Sequence, residues 1–154
     1  MSTVEAHVVE PAPRSGVLEK IWATPPGVLG WLSSVDHKSI GKRYLVTAFL
    51  FLAAGGIEAL FMRAQLARPN QQLVTPEQYN QLFSMHGMTM IFLYALPVLS
   101  GFSNFLFPLL FGSRDMAFPR LNALSYWMYV AAGLFMYAGF AMGAGANDGW
   151  FNYV

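Results

Sequence analysis

The chain has 154 residues, of which 55% are hydrophobic and only 11% charged, whereas a soluble domain is about one quarter charged. Its formal net charge of +1, without a stripe of Arg and Lys between aromatic residues, excludes nucleic acid as a partner. The absence of cysteine excludes disulfides, thiolate zinc sites, iron–sulfur clusters and covalently attached c-type haem, so any metal ligand must be histidine, carboxylate or methionine.

Residues 1–36 are predicted to form a polar, partly disordered head. They contain no continuous apolar run of the kind that a secretory signal peptide needs, and four prolines interrupt them. Within this head, Gly27–Ser33 is predicted to be a short amphipathic segment on the membrane surface.

Three apolar stretches follow the head. They predict an all-α integral membrane fold with three transmembrane helices, at about residues 44–62, 82–112 and 121–142. The first stretch has 19 residues, which at about 1.5 Å per residue nearly crosses the ~30 Å hydrocarbon core. Its connection to the second, residues 64–81, is polar and holds Pro69-Asn70 and Pro76-Glu77, which predict a loop.

The second stretch is longer than a perpendicular helix needs. No Asp, Glu, Lys or Arg occurs between Gln78 and Ser113. Pro97, Gly101 and Pro108 lie inside it, which predicts a kink or a tilt.

Positive charge in the short flanks predicts the orientation. Two flanks share one side of the membrane and together hold five basic residues, which are Lys38, Lys42, Arg43, Arg114 and Arg120. The opposite side holds Arg63 and Arg68. The positive-inside rule therefore predicts a cytoplasmic N-terminus and a C-terminal tail, residues 143–154, on the outside.

His86 is the only histidine inside an apolar stretch. An ionisable group within the membrane is costly and indicates function, and neutral imidazole is a common haem ligand. A histidine that is hydrogen-bonded to a neighbouring helix is an equally good interpretation of its position. On a regular α-helix, Met90, Leu93, Pro97 and Asn104 share its face, which suggests a buried, functional side.

Asp115 lies between the second and third stretches, where a solvated loop carboxylate paired with Arg114 or Arg120 is the simpler interpretation. Asn122, Ser125 and Tyr129 follow on one face of the third stretch. Such a stripe can hold a chain of waters that carries protons, or it can form hydrogen bonds between helices.

Two further charged residues lie near the end of the first stretch. Glu58 needs a partner or a water-filled space, unless its carboxylate reaches the membrane surface. Arg63 at the boundary can bind an anionic headgroup or a polar substituent of a cofactor.

A family resemblance rests on four strings. These are His37-Lys38-Ser39-Ile40-Gly41 with Tyr44, MRAQL at 62–66, HGMTMIFLYALPVLSGFSNFLFPLLFGSRDMAFPRLNALSYW at 86–127, and GAGANDGW at 143–150. Together they resemble the N-terminal part of subunit I of the haem–copper terminal oxidases, most closely A-type cytochrome c oxidase. The likeness covers about residues 31–154, and its DMAFPR-x-N-x-x-S-[FY]-W string is long and specific.

The resemblance implies a set of roles. His86 would be one axial ligand of a low-spin haem, with haem A the expected type, and Arg63 would hydrogen-bond its formyl substituent. Asp115 would form the cytoplasmic mouth of a proton channel, whose lower part would be lined by Tyr44, Asn104, Asn122 and Ser125. The implied setting is a proton-pumping respiratory-chain oxidase in a bacterial plasma membrane, surrounded by lipid, which reduces O₂ with electrons from cytochrome c.

The sequence departs from the family pattern in places. Ser100-Gly101-Phe102-Ser103-Asn104 stands for the usual Gly-Gly-Phe-Gly-Asn, and Gly112-Ser113-Arg114-Asp115 lacks the Ala-Pro that many members have before the aspartate. Gln65 stands where many members have a glutamate that helps to bind a cation, so that cation site is not predicted here.

The largest departure is length, because the family has about a dozen membrane helices. The second haem, the copper site and the other axial histidine use family residues that this sequence lacks. The chain is therefore expected to act with the remainder of subunit I and other oxidase subunits, and to be inactive alone. The alternatives are a non-catalytic membrane fragment or assembly protein, and a small b-type cytochrome whose second histidine comes from another copy.

Overall fold

The computed structural model describes residues 26–151. Most of the predicted head, including His7, lies outside these residues. The part of the head within them includes α1, a helix over Gly27–Ser33. The amphipathic character of this segment and its position on a membrane surface stay predictions.

Three long helices follow α1. We name them α2 (His37–Gln65), α3 (Pro76–Leu110) and α4 (Pro119–Ala141). Each is long and apolar enough to cross a membrane, and the described residues contain no strand. This confirms the predicted all-α membrane fold. Chain direction alternates along the bundle, so we call one end the His37 end and the other the Gln65 end.

The helices extend beyond the apolar stretches, because capping residues rather than hydrophobicity set where they start. The Asp36 carboxylate accepts the backbone N–H of Ser39 and starts α2 seven residues before Tyr44. Thr75 and Gln78 form a capping box at the start of α3. The loop predicted over 64–81 is therefore wrong at its end: Pro76 opens a helix, where its missing N–H costs nothing.

Helix α3 is not a uniform α-helix. Thr89–Ala95 forms a π-helical segment between two α-helical parts, Pro76–Met88 and Leu96–Leu110. A π segment is a recognised cause of helix distortion, and this one lies directly before the proline that the sequence singled out. The buried positions of α3 accordingly advance four residues at a time here, from Met85 to Thr89, Leu93, Pro97 and Gly101.

Small residues let α2 and α3 approach closely. A Cβ atom placed on Gly41 would lie 2.8 Å from the carbonyl oxygen of Gly101, and one on Gly55 would lie 3.0 Å from the sulfur of Met90. Close packing through small residues is the usual way in which membrane helices associate. It brings the buried faces of the two helices into contact along most of their length.

Helix α4 packs on α2 through tyrosines. Tyr44 and Tyr126 meet edge to face, with ring centroids 5.3 Å apart, and Ile40 lies in the same buried cluster. The Tyr126 hydroxyl shares a 3.0 Å hydrogen bond with Thr47 Oγ1. Tyrosine side chains are amphipathic, so their aromatic rings pack in the apolar interface while their hydroxyls form hydrogen bonds to the neighbouring helix.

The segment after α4 folds back onto the first turns of α3. Asn147 donates to the Glu77 carboxylate at 2.9 Å, and the Gly149 backbone N–H donates to Ser84 Oγ at 2.9 Å. Trp150 packs against Gly87, where an added Cβ would lie only 2.8 Å from the Trp150 Cβ. The tail therefore covers the Gln65 end of the bundle beside His86.

Candidate functional site

His86 lies in the α-helical part of α3, one residue before Gly87, and its side chain is half-buried. Its ring Nδ1 is 2.9 Å from the carbonyl oxygen of Gly55 in α2, so Nδ1 carries the proton and donates. This bond fixes the ring plane and the tautomer, and it leaves Nε2 with its lone pair. The arrangement suits a metal ligand, because a ligating histidine usually donates its other N–H to a carbonyl or carboxylate.

A second polar group lies close to His86. Glu58, one turn after Gly55 on α2, is only 5% exposed. Neither carboxylate oxygen has a hydrogen-bond partner at standard geometry among the described residues, although Tyr137 and His86 are close enough to interact electrostatically. The Tyr137 hydroxyl itself shares a 2.9 Å hydrogen bond with Thr89 Oγ1. Glu58, Thr89 and Tyr137 thus form a polar cluster beside the candidate ligand.

Asp115 lies at the opposite end of the bundle, after the end of α3. Its Oδ1 is 3.4 Å from Nδ1 of His37 and accepts the Met116 backbone N–H at 2.7 Å. Asp36 Oδ1 is 3.8 Å from the same His37 nitrogen. These three side chains each offer one ligand atom within 4.8 Å of one another, which is geometry that a divalent cation accepts. The simple picture of Asp115 as a loop carboxylate paired with an arginine omits its contact with buried His37.

Tyr44, Ser125 and Asn122 are joined by hydrogen bonds between α2 and α4. Ser125 Oγ donates to the Asn122 carbonyl at 2.7 Å and is 2.9 Å from the Tyr44 hydroxyl. Because the serine has one hydroxyl hydrogen, Tyr44 is the donor to Ser125. The bonds therefore run in one direction, from Tyr44 through Ser125 to the Asn122 backbone.

Two side-chain amides in this half of the bundle keep unused hydrogen-bonding capacity. Asn104 donates from Nδ2 to the Ser100 carbonyl at 2.9 Å, while its buried Oδ1 accepts nothing from the described part of the chain. Asn122 Nδ2 is likewise buried without an acceptor among those residues. Buried amide atoms of this kind are normally satisfied by water or by another part of the protein.

Arg63 and Gln65 lie at the far end of α2. Arg63 is exposed, and no described hydrogen bond or ion pair joins it to His86. The Gln65 amide holds the following loop: its Oε1 accepts the backbone N–H groups of Leu73 and Val74 at 2.9 and 3.0 Å, and its Nε2 donates to the Gln71 carbonyl. In this chain, the neutral Gln65 side chain therefore holds the loop through three hydrogen bonds.

The stripe predicted from a regular helix is partly right. Leu93, Pro97 and Asn104 are buried as expected. The assumption of a uniform α-helical repeat is wrong, because the π segment between His86 and Asn104 holds more residues per turn and rotates one half of α3 relative to the other. His86 accordingly lies at the edge of the buried face rather than at its centre.

Sequence reasoning missed the role of His37 beside Asp115. It treated His37 as part of a motif outside the spans, whereas the N-cap at Asp36 draws it into the first turn of α2 and buries it. Part of the signal was available, because Asp is a favoured N-cap residue and Asp36 directly precedes His37. The pairing with Asp115 was not available, since 78 residues separate the two in the chain.

Comparisons with known proteins decide the family. The family described as "Cytochrome C and Quinol oxidase polypeptide I" matches residues 39–154. The chain belongs to this family. It is 50% identical over 127 residues to the "Probable cytochrome c oxidase subunit 1-alpha" of Streptomyces coelicolor, covering 82% of this chain and 22% of that protein. It is 42% identical to cytochrome c oxidase subunit 1 of a Bacillus species over 93% of this chain and 22% of that protein.

A third relative, cytochrome c oxidase subunit 1 of a Synechocystis species, is 49% identical over 119 residues. The chain thus spans about a fifth of the length of the curated relatives that it matches. The family resemblance inferred from the strings is confirmed. The chain is a part of an oxidase subunit I, and its three long apolar helices make it an integral membrane protein.

Proposed function

We propose that this chain provides the first three membrane helices of the catalytic subunit of a respiratory terminal oxidase. In this proposal it holds one axial ligand of a low-spin haem at the Gln65 end and the entrance of a proton channel at the His37 end. The parent reaction is the reduction of O₂ to water, coupled to proton pumping. The His37 end and the head face the cytoplasm, and the folded-back tail faces outside.

The geometry of His86 carries the proposal. Its Nδ1 is held by the Gly55 carbonyl at 2.9 Å, which presents Nε2 as the free nitrogen. The sequence has no cysteine, and His86 is the only histidine within the three apolar stretches, since His37 lies in the first turn of α2 at the opposite end of the bundle. His86 is therefore the residue in these stretches best suited to bind haem iron. When bound, the haem, expected to be haem A, would receive electrons and pass them on. The other axial ligand, the second haem and copper require residues from the rest of the subunit.

Arg63 would contact a polar substituent of that haem in the assembled subunit. Its exposure in this chain leaves the guanidinium free to reach a group held mainly by other helices. Cytochrome c would be the electron donor, with the remainder of subunit I and other subunits as structural partners and lipid around the bundle.

The polar groups at the His37 end support the channel. Asp115 would collect a proton from the cytoplasm beside His37. The unused amide atoms of Asn104 and Asn122 and the directed bond from Tyr44 to Ser125 would orient waters above it. Hydroxyls and amides can order a water chain without binding the proton tightly, which is what fast transfer into a low dielectric requires.

Replacing Asp115 by Asn in the intact oxidase tests the channel. We expect turnover to fall and pumping to be lost, while the haem spectra stay unchanged, because the amide cannot take up a proton at the channel mouth. Asp148→Asn makes the same chemical change at the opposite end of the bundle and should leave pumping intact. Normal proton pumping by the Asp115→Asn oxidase in liposomes would contradict the channel assignment.

A further inference from the structure

The carbonyl of Leu93 cannot receive the donor that a regular α-helix would provide. In an α-helix each carbonyl accepts the N–H four residues later, and the residue four after Leu93 is Pro97, which has no N–H. The proline ring would also collide with that carbonyl in a regular helix. The chain avoids the collision by widening into the π segment Thr89–Ala95, which ends two residues before Pro97.

Tyr129 of α4 supplies the missing donor. Its hydroxyl donates to the Leu93 carbonyl oxygen at 2.7 Å. Leu93 is 5% exposed, so its carbonyl has little access to solvent, and an unpaired carbonyl there would be costly. Tyr129 is itself held in place, because its ring stacks on that of Tyr44 with centroids 5.4 Å apart.

The position of this bond gives it a functional consequence. Leu93 lies 7 residues after His86 and 11 before Asn104, so the π segment connects the proposed haem ligand to a proposed channel residue. A π segment takes more residues per turn than an α-helix, so its extent sets the rotation of one end of α3 relative to the other. A shift of the segment by one residue would change the angle about the helix axis between His86 and Asn104.

We infer that Tyr129 is a positioning residue of the oxidase. Its hydroxyl completes the turn broken by Pro97, fixes the extent of the π segment, and thereby holds His86 and Asn104 in their relative orientation. The part of this inference that concerns haem rests on the proposed function, whereas the part that concerns the π segment does not.

Tyr129→Phe in the intact oxidase removes the hydroxyl and keeps the ring. Tyr126→Phe is the matched control, because Tyr126 lies on the same helix and its hydroxyl bonds to the Thr47 side chain rather than to α3. We expect hydrogen–deuterium exchange of the Leu96, Val98 and Leu99 amides to be roughly three- to tenfold faster in Tyr129→Phe only, as befits the loss of one buried hydrogen bond. Exchange equal to wild type in Tyr129→Phe would overturn the inference.

A double-mutant cycle with Pro97→Ala isolates the mechanism. Alanine at 97 restores the N–H that a regular α-helix would direct at the Leu93 carbonyl, so in this background Tyr129→Phe should have almost no further effect on exchange. If Tyr129→Phe alone fails to assemble, Pro97→Ala should rescue assembly. Additive effects of the two substitutions, or no rescue, would overturn the inference.

The haem readout separates this inference from the proposed function. The electron paramagnetic resonance signal of the low-spin haem should shift in Tyr129→Phe, because the His86 ring turns, and should match wild type in Tyr126→Phe. An unshifted signal in Tyr129→Phe would contradict the positioning role. A low-spin signal that survives His86→Leu would instead refute the proposed ligand, while the exchange result would stand by itself.

Discussion

The polar side chains at the two ends of the bundle make different kinds of contact. At the His37 end, the polar groups form bonds that cross between helices, as in the step from Tyr44 to Ser125. At the Gln65 end, one bond holds His86 to the Gly55 backbone, and a carboxylate lies beside it. Glu58 is the least expected of these residues, since a buried carboxylate without a hydrogen bond is costly in any apolar medium.

Glu58→Met should stabilise the protein. The substitution removes two carboxylate oxygens that have no hydrogen-bond partner at standard geometry in the described part of the chain, and Tyr137 keeps its hydrogen bond to Thr89. We expect a gain of about 1 to 3 kcal/mol, measured by thermal unfolding of the intact complex in detergent. Glu58→Gln, which keeps the polar head, is the control and should gain less.

A loss of stability in Glu58→Met would show instead that the carboxylate has a structural partner in the assembled subunit. A gain in stability with a loss of oxidase activity would mark Glu58 as a residue retained for function at a cost in stability.

The sequence was sufficient to single out His86 and Asp115, because an ionisable residue stands out where its surroundings are apolar or where a long motif includes it. It was not sufficient to predict which groups these two side chains contact. The Gly55 carbonyl and the His37 ring reach them from α2, across 31 and 78 residues of chain. Such contacts depend on how each helix is rotated about its own axis. A regular α-helical repeat does not predict this rotation for α3, because α3 contains a π segment.

Among the elements, α2 and α3 depend on close backbone approach. A Cβ on Gly41 would lie 2.8 Å from the Gly101 carbonyl oxygen and 3.1 Å from the Phe105 Cβ, and neither atom belongs to a flexible side-chain end. Gly56 lies on the same helix, and a Cβ there would meet nothing within 4 Å. The two glycines therefore form a matched pair for testing the packing.

Gly41→Ala should separate the helices and destabilise the protein by about 1 to 3 kcal/mol, because the core cannot take the extra methyl without a backbone shift. Gly56→Ala should be neutral or stabilising by up to about 1 kcal/mol, since alanine is the better helix former. Thermal unfolding of the two variants in the same detergent measures the difference. Equal stability of both variants would contradict the packing of α2 on α3.

The existence of the three membrane helices could be predicted from the sequence, because long uncharged apolar runs have few other stable structures. Their ends could be predicted less well, since Asp36 and Pro76 act through capping outside the apolar runs. Pro97 indicated a distortion, but the π segment also includes the Leu93 carbonyl that Tyr129 contacts, and Tyr129 lies 36 positions after Leu93.

At the scale of the whole molecule, the bundle exposes much apolar surface. Phe111, Phe135 and Met142 are each about four-fifths exposed, at 82%, 79% and 83%. Lipid covers such surfaces in a membrane, and in the relatives, which are about four times as long, further chain is available to cover the rest. The polar atoms of Asn104 and Asn122 that have no partner among the described residues are where further chain or water would complete the proposed channel.

The proposed function depends on one bond between this chain and a haem. The most direct test is a reduced-minus-oxidised optical spectrum of the intact oxidase carrying His86→Leu, beside wild type and His37→Asn, which changes a histidine at the opposite end of the bundle. We predict a low-spin haem A band in wild type and in His37→Asn, and its loss in His86→Leu. An unchanged low-spin band in His86→Leu would contradict the central claim that His86 ligates the haem iron.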